Sequence, residues 1–200
     1  MDFRRPVTAV IPDSQGQILA SLAAVSGPLT LRGLSEVCGV SPAQCSRVLK
    51  RLVALGMVQR TDVPPAALFS LVRDHVASEL LIRLADAHGA ATKKIEDWAK
   101  RIRPTPQSVL VFGSFARGVA DIDSDIDILI VRPALTETEE SSWVDSRAEF
   151  EINVRRCTGN PVKVIEVERH ELDELLKGPL WSEIARGGKT VLGTAIGAPG

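Results

Sequence analysis

The sequence lacks the signals that mark exported, membrane-spanning and metal-clustered proteins. It has no uninterrupted apolar run of about 18 residues, the length that a membrane helix needs, and no apolar run of that kind follows the arginines near its start. Its three cysteines are an odd number without a CxxC spacing, which disfavours disulfides and metal ligation. The three histidines lie far apart, and the absence of a local Ser-His-Asp motif leaves hydrolase chemistry unsupported. We therefore expect a cytoplasmic protein with reduced thiols and no membrane partner.

The nearly neutral total charge conceals two halves of opposite sign. The chain has 200 residues and a formal net charge of −1, a length that allows one large domain or two small ones. Residues 1–103 carry 14 basic and 9 acidic side chains, whereas residues 104–200 carry 10 basic and 16 acidic ones. The net charges of +5 and −6 indicate that the halves bind different kinds of partner.

The first half shows the start and stop signals of consecutive short helices. After a helix that ends near Gly27 and Pro28, Thr30 is placed to cap a second helix that ends at Gly39. A third helix has Ser41 as N-cap, Pro42 at the first helical position, Gln44 at the capping-box position and Gly56 as its stop. Two helices joined by a short glycine-containing turn are typical of a helix-turn-helix.

The exposed face of that third helix is basic. The segment 39–60 has four positive charges and no acidic residue, which suits the release of counterions from DNA phosphates. Two short strands then surround the pair Pro64–Pro65, and Arg60 is expected near the tip of the hairpin. The alternative is a packed helix pair with solvated charges. Residues 14–72 resemble the winged-helix domains of small bacterial transcription regulators, and the resemblance implies binding of double-stranded DNA through Gln44, Arg47, Lys50, Arg51 and Arg60.

A helical pattern over 73–103 follows, and the Pro104–Pro106 segment closes it. It predicts a long connecting helix, which Gly89 could kink or break and which could serve as a connector, as the face of a homodimer, or as both. We therefore predict an α+β protein with three parts: a winged helix-turn-helix in 1–72, the connecting helix in 73–103, and a domain with a small mixed sheet flanked by helices in 104–200.

Two apolar runs in the acidic half predict buried strands with polar residues at their ends. The run 108–112 leads directly into Gly113 and Ser114, and the run 125–131 contains Asp125 and Asp127. Residues two apart in a strand project on one side about 7 Å apart. Two carboxylates so placed repel each other unless a cation lies between them, and oxygen ligands of this kind suit Mg²⁺.

Two common ligand-binding loops match these residues only in part. Gly113 and Gly118 imitate the start of a P-loop, but Val119 and Ala120 stand where Lys and Ser or Thr are needed. Asp121, Asp123 and Asp125 imitate an EF-hand loop, but Ile126 occupies the glycine position. The alternative is an acidic turn in which both aspartates are merely solvated. It does not explain why a run as apolar as 125–131 contains two aspartates.

The run GSFARGVADIDSDIDILIV, residues 113–131, resembles the minimal nucleotidyltransferases of the DNA polymerase β-like superfamily. The resemblance extends more loosely over 104–193. It implies transfer of a nucleoside monophosphate from a nucleoside triphosphate, with ATP expected, to a hydroxyl acceptor, using Mg²⁺ or Mn²⁺. By the same resemblance the nucleotide would be held by Gly113, Ser114, Arg117 and Ser124, and the metal by the catalytic carboxylates Asp125 and Asp127.

The superfamily uses a third carboxylate on a later strand, and Glu166 is the candidate here. It lies in the apolar run 161–167 together with Lys163, and the two cannot share a face of a regular strand. With Glu166 at the site, we expect an active transferase, as in an antitoxin-like regulator that modifies a partner protein. Without it, we expect the alternative, a transcription regulator whose second domain senses nucleotide without turnover.

Overall fold

The chain folds into two compact units. The computed structural model describes residues 1–175 and 177–196. Residues 5–87 form one unit, and residues 1–4 together with the segment from His88 onward form the other. Within the described residues, no helix is both long enough and apolar enough to cross a membrane.

The first unit consists of helices and a three-stranded antiparallel sheet. Strands β2 and β3 form a hairpin, and β3 also pairs with β1, which gives the order β1-β3-β2. The elements in chain order are α1 (Pro6–Val10), α2 (Asp13–Ala24), β1 (Leu29–Thr30), α3 (Leu31–Cys38), α4 (Pro42–Ala54), β2 (Val58–Val63), β3 (Ala66–Leu71) and α5 (Val76–Ala85).

The predicted caps position the helix pair α3 and α4. The Thr30 hydroxyl accepts a hydrogen bond from the Gly33 amide at 3.0 Å, and α3 ends at Gly39, whose φ of +67° is easy only for glycine. The Ser41 hydroxyl accepts from the Gln44 amide at 3.4 Å and begins α4. Leu49 and the other apolar residues of α4 are buried in the core of this unit. The opposite side of α4 is left to solvent.

The stretch predicted as one connecting helix is two helices. Helix α5 ends with Asp86 as its C-cap, and α6 (Ala87–Ala99) begins directly after it. The break separates the units, because α5 packs on α1 and α2 whereas His88 and the residues after it belong to the second unit. The unit boundary therefore lies after Ala87, inside the range 73–103. The end of the range 104–200, residues 197–200, lies outside the described residues.

The second unit is built on a mixed four-stranded sheet in the order β6-β5-β4-β7. Strands β5 and β6 run parallel, and β4 is antiparallel to both of its neighbours. After α6 the elements are β4 (Ser108–Phe112), α7 (Gly113–Ala116), β5 (Ile126–Arg132), α8 (Glu137–Thr158), β6 (Val162–Glu168), α9 (Arg169–Leu175), α10 (Pro179–Ala185) and β7 (Lys189–Gly193).

The sheet has two buried faces, which explains its continuous apolar strands. One face packs against α9 and α10 through Leu110, Leu129 and Ile184. The other contacts α8, as the hydrogen bond from Trp143 to β6 shows. Successive side chains of a strand alternate between these faces, so the parity of a residue decides which helices it meets.

Candidate functional site

Asp125 and Asp127 lie where β4 and β5 meet the short helix α7. Asp127 pairs with Phe112, the last residue of β4, and Asp125 directly precedes β5. The Asp125 side chain is 26% exposed, and Asp127 is also partly buried. The two aspartates thus stand at one edge of the sheet, beside Gly113 and Ser114 at the start of α7.

Only glycine fits at position 113. Gly113 has a φ of +71°, which side chains rarely tolerate, and a Cβ atom there would collide with Oδ2 of Asp127. The turn after β4 and the second aspartate therefore pack against each other. A phosphate bound at the Gly113 and Ser114 amides would lie next to the aspartates.

Burial raises the pKa of Asp127 above its usual value of 3.8. The positive charge of Lys163 acts against this effect, while Asp125 and Glu183 add to it and Arg117 opposes it. Ionised Asp127 therefore lowers the free energy of unfolding relative to the protonated form. A cation placed between Asp125 and Asp127 would remove part of that destabilisation.

The raised pKa predicts a pH-dependent effect of Asp127→Asn on stability. A carboxyl whose pKa is higher when folded favours the folded state at low pH, and this contribution is lost as the pH rises through the folded pKa. We expect the variant to have a higher melting temperature than the wild type at pH 7, with the difference shrinking as the pH falls through the folded pKa toward about 3.8. Thermal unfolding from pH 3 to pH 8 measures this, and the exposed Asp123→Asn is the matched control. A lower melting temperature for Asp127→Asn at pH 7 would contradict the prediction.

Strand β6 brings Lys163 to the two aspartates. Lys163 pairs with Asp127 in the parallel register of β5 and β6, and its ammonium group forms a close ion pair with Oδ2 of Asp125. This hydrogen bond raises the pKa of Lys163. A cation therefore occupies the position on β6 that faces both carboxylates.

Glu166 is not part of this cluster, which corrects the assignment of a third metal ligand and catalytic carboxylate. It pairs with Ile130, three residues beyond Asp127, so its side chain projects from the opposite face of the sheet. There its carboxylate accepts a hydrogen bond from Trp143 Nε1 at 3.0 Å and pairs with Arg147 Nε at 3.2 Å. Glu166 joins β6 to α8.

Ser124 lies in the loop before β5 and stabilises its shape. Its hydroxyl donates to Oδ1 of Asp121 at 2.8 Å and accepts from the Asp121 amide at 2.9 Å. The side-chain amide of buried Asn160 donates to the carbonyl oxygens of Asp121 and Ser124 at 2.8 and 2.9 Å. The structure thus gives Ser124 local partners and makes Asn160 the support of the loop that ends at Asp125.

Arg117 follows α7 and points toward α10. Its Nη1 lies 3.3 Å from Oε2 of Glu183. Both groups act on the pKa of Asp127, which places them around the same carboxylate. Arg117 is thus near the site that the sequence predicted for it, and its partner is a carboxylate that a bound phosphate would have to replace.

Asn160→Ala is expected to destabilise the protein by about 1–3 kcal/mol, since it removes the amide donor of two partly buried carbonyl oxygens. Urea unfolding followed by circular dichroism measures the change. Asn153→Ala, a partly buried position on α8, is the control. A loss below about 0.5 kcal/mol would show that the loop holds its shape without Asn160.

The candidate DNA-binding face lies on α4 and the β2–β3 hairpin. The side chains of Gln44, Arg47, Lys50 and Arg51 are all exposed on α4. Arg60 lies in the middle of β2 rather than near the hairpin tip, which is formed by Pro64 and Pro65. Its guanidinium pairs with Asp62 at 2.7 Å, so its charge is partly compensated.

Two family models match the chain, one for each unit. The model of the MarR family matches residues 11–67, and that of the nucleotidyltransferase domain matches residues 92–179. The chain joins a MarR-family winged-helix domain to a nucleotidyltransferase domain. This confirms the predicted fusion and its order, and it makes the first unit a domain of a DNA-binding family.

The similar solved structures have sequence identities below 25% with this chain. A toxin–antitoxin crystal structure with AMP-PNP is 21% identical, with a TM-score of 0.34, over 52% of this chain and 73% of that one. The protein RV1404 from Mycobacterium tuberculosis is 18% identical, with a TM-score of 0.34, over 51% of this chain and 70% of that one. TrmBL2, an archaeal chromatin protein with a novel mode of DNA binding, is 16% identical, with a TM-score of 0.32, over 92% of this chain and 74% of that one. No curated protein matches the chain.

The donor set of the nucleotidyltransferase domain fits one divalent ion. Asp125 and Asp127 offer carboxylate oxygens, which Mg²⁺ prefers, and the charge of Asp125 adds to the effect of burial in raising the pKa of Asp127. Among the side chains that the structure describes, no group of three His, Cys, Asp or Glu residues could hold a metal. A Mg²⁺ ion at Asp125 and Asp127 would therefore depend on water and phosphate oxygens for its other ligands.

Lys163 and Asn160 are the residues of the nucleotidyltransferase domain whose roles the sequence did not reveal. Strand alternation already predicts that Lys163 and Glu166 lie on opposite faces of β6. Only the register of β6 against β5 shows that Lys163 is the one on the face of Asp127. Asn160 looked like a turn residue between Gly159 and Pro161. Its side-chain hydrogen bonds go to residues 36 and 39 positions earlier in the chain. A local sequence pattern cannot predict contacts of that range.

Proposed function

We propose that this protein is a DNA-binding regulator whose nucleotidyltransferase domain binds a nucleoside triphosphate, with ATP as the expected ligand, and responds to it without efficient nucleotidyl transfer. The observation that carries the proposal is the pairing of Lys163, not a carboxylate, with Asp127. The family resemblance supports a nucleotide site in this domain, and Lys163 stands on β6 where a third carboxylate would be expected for catalysis.

The nucleotide site would be formed by the residues around the aspartates. Gly113 and Ser114 would present backbone amides and a hydroxyl to the phosphates, and Arg117 would add a positive charge. Asp125 and Asp127 would hold a Mg²⁺ ion, which neutralises phosphate charge when it is bound. Binding would change the partners of Arg117, because phosphate and Glu183 compete for the same guanidinium.

A route from this site toward the MarR-family domain runs through residues 3 and 4. The Phe3 amide donates to the Ala120 carbonyl at 2.8 Å, and Arg4 pairs with Asp121 at 3.2 Å in the loop that ends at Asp125. The Phe3 ring packs edge-on against Phe115 in α7, with ring centroids 4.9 Å apart. The winged-helix unit begins at the next residue, Arg5. Residues 3 and 4 therefore connect the loop that ends at Asp125 to the start of that unit along the chain.

Nucleotidyl transfer to a hydroxyl acceptor, as in an antitoxin-like regulator, is the competing function, because Asp125 and Asp127 match the family motif. The test is incubation of the protein with α-labelled ATP and Mg²⁺ in an extract of the source cells, which supplies acceptors. Equilibrium dialysis of the same labelled ATP against the purified protein measures binding. We expect stoichiometric binding without covalent transfer. Transfer that disappears in an Asp125→Asn, Asp127→Asn variant would contradict the proposal.

A further inference from the structure

Lys163 lies at the position of β6 whose side chain faces both aspartates. Side chains on β6 that share the face of Asp127 are those of Lys163, Ile165 and Val167, by strand alternation. Ile165 and Val167 pack into the hydrophobic cluster with α9 and α10. Lys163 is thus the residue of β6 whose polar group reaches the site.

Lys163 forms its ion pair with Asp125 and lies close enough to Asp127 to act on its charge. Its ammonium group pairs with Oδ2 of Asp125 and also acts on the pKa of Asp127. The lysine side chain is 69% exposed, whereas that of Asp125 is 26% exposed. An exposed ammonium on a flexible stem can stay at Asp125 or turn to a nearby phosphate, as a point charge that needs no fixed geometry.

We propose that Lys163 is a built-in cation of the nucleotide site, which takes the place of a second divalent ion, so that the triphosphate binds with a single Mg²⁺. This inference rests on the proposed binding of nucleotide. Asp127 and the free oxygen of Asp125 hold the one divalent ion, and Lys163 neutralises the remaining charge of Asp125. A carboxylate at position 163 would instead complete a cluster of three.

The charge of the cluster differs between lysine and a carboxylate at position 163. Asp125, Asp127 and Lys163 together carry a net charge of −1, and Lys163→Asp changes this to −3. The attraction of a cluster for a divalent ion grows with its negative charge and with its number of oxygen ligands. The variant should therefore gain divalent-ion affinity that the wild type lacks.

The experiment counts Mn²⁺ ions, which electron paramagnetic resonance detects directly. Wild type, Lys163→Asp and Lys163→Met are titrated with Mn²⁺ at a saturating concentration of a non-hydrolysable ATP analogue. We expect one bound Mn²⁺ per chain in the wild type and two in Lys163→Asp. Lys163→Met, which removes the cation without adding a ligand, should keep one. Two ions in the wild type, or one in Lys163→Asp, would overturn the inference.

A second measurement works without nucleotide. We expect Lys163→Asp to bind Mn²⁺ at least ten times more tightly than the wild type in isothermal titration calorimetry. Lys94→Asp makes the same charge change at an exposed position of α6 and should leave the affinity unchanged. Equal affinities of Lys163→Asp and Lys94→Asp would refute a specific role of position 163. Circular dichroism verifies that each variant is folded.

The two proposals fail in different ways. A wild type that binds no ATP analogue at all contradicts the proposed function, whatever its Mn²⁺ count. A wild type that binds the analogue with two Mn²⁺ ions leaves nucleotide binding intact and contradicts only the role of Lys163.

Discussion

Replacing Asp125 and Asp127 together by asparagine is expected to weaken Mg²⁺-dependent ATP binding by about 100-fold or more. The two substitutions remove the charged oxygen ligands but keep the size of the side chains. Lys163 would then lack its ion-pair partner at Asp125 and could still attract phosphate, so weak binding that does not depend on Mg²⁺ should persist. Calorimetric titration of Mg²⁺-ATP, repeated with EDTA, separates these two contributions.

Glu166→Gln is the matched control for that measurement. It removes one acidic charge from the same sheet but on the face toward α8, where the amide oxygen can still accept the hydrogen bond from Trp143. We expect ATP affinity within about twofold of the wild type. A loss as large as that of the aspartate variant would restore Glu166 to the metal site, against the register of β5 and β6.

The second large effect is expected at the recognition helix. An Arg47→Ala, Lys50→Ala variant should bind duplex DNA about 10 to 100 times more weakly at 0.1 M salt. Both side chains project into solvent from α4, and each phosphate contact releases about one counterion. The slope of log affinity against log salt concentration should fall by about two. Fluorescence anisotropy with a labelled duplex over a range of salt concentrations measures both quantities.

The control for DNA binding is Arg83→Ala, which removes an exposed charge from α5 in the same unit. Equal losses in Arg83→Ala and in the α4 variant would indicate that net charge, not the helix-turn-helix, attracts the DNA. Arg60→Ala should have a smaller effect than the α4 substitutions, because Asp62 already compensates part of its charge.

Local signals predicted the elements that local chemistry determines. Thr30 and Ser41 cap α3 and α4 as expected, and the apolar runs around Gly113 are buried strands because both faces of the sheet are covered. The family model bears out the nucleotidyltransferase resemblance that the Gly113 to Val131 motif carried. The helix caps depend on residues within one turn of each other, and the strands and the motif depend on short continuous runs of sequence.

Features that depend on pairing between distant segments could not be predicted from the sequence. The register of β6 against β5 decides that Lys163, rather than Glu166, meets Asp127, and a shift of one residue would turn the Glu166 side chain to the face of Asp127. The continuous helical pattern over 73–103 likewise hides the break at Asp86, because the two helices pack in different units. The two-residue strand β1 is too short for a periodic signal.

The central feature of the proposed function is that nucleotide in the second domain changes DNA binding by the first. The most direct test is the affinity of the full-length protein for a labelled duplex from upstream of its own gene, measured with and without a saturating Mg²⁺ complex of a non-hydrolysable ATP analogue. We predict at least a fivefold change in affinity, which the Asp125→Asn, Asp127→Asn variant does not show. Equal DNA affinities in the presence and absence of bound nucleotide would contradict it.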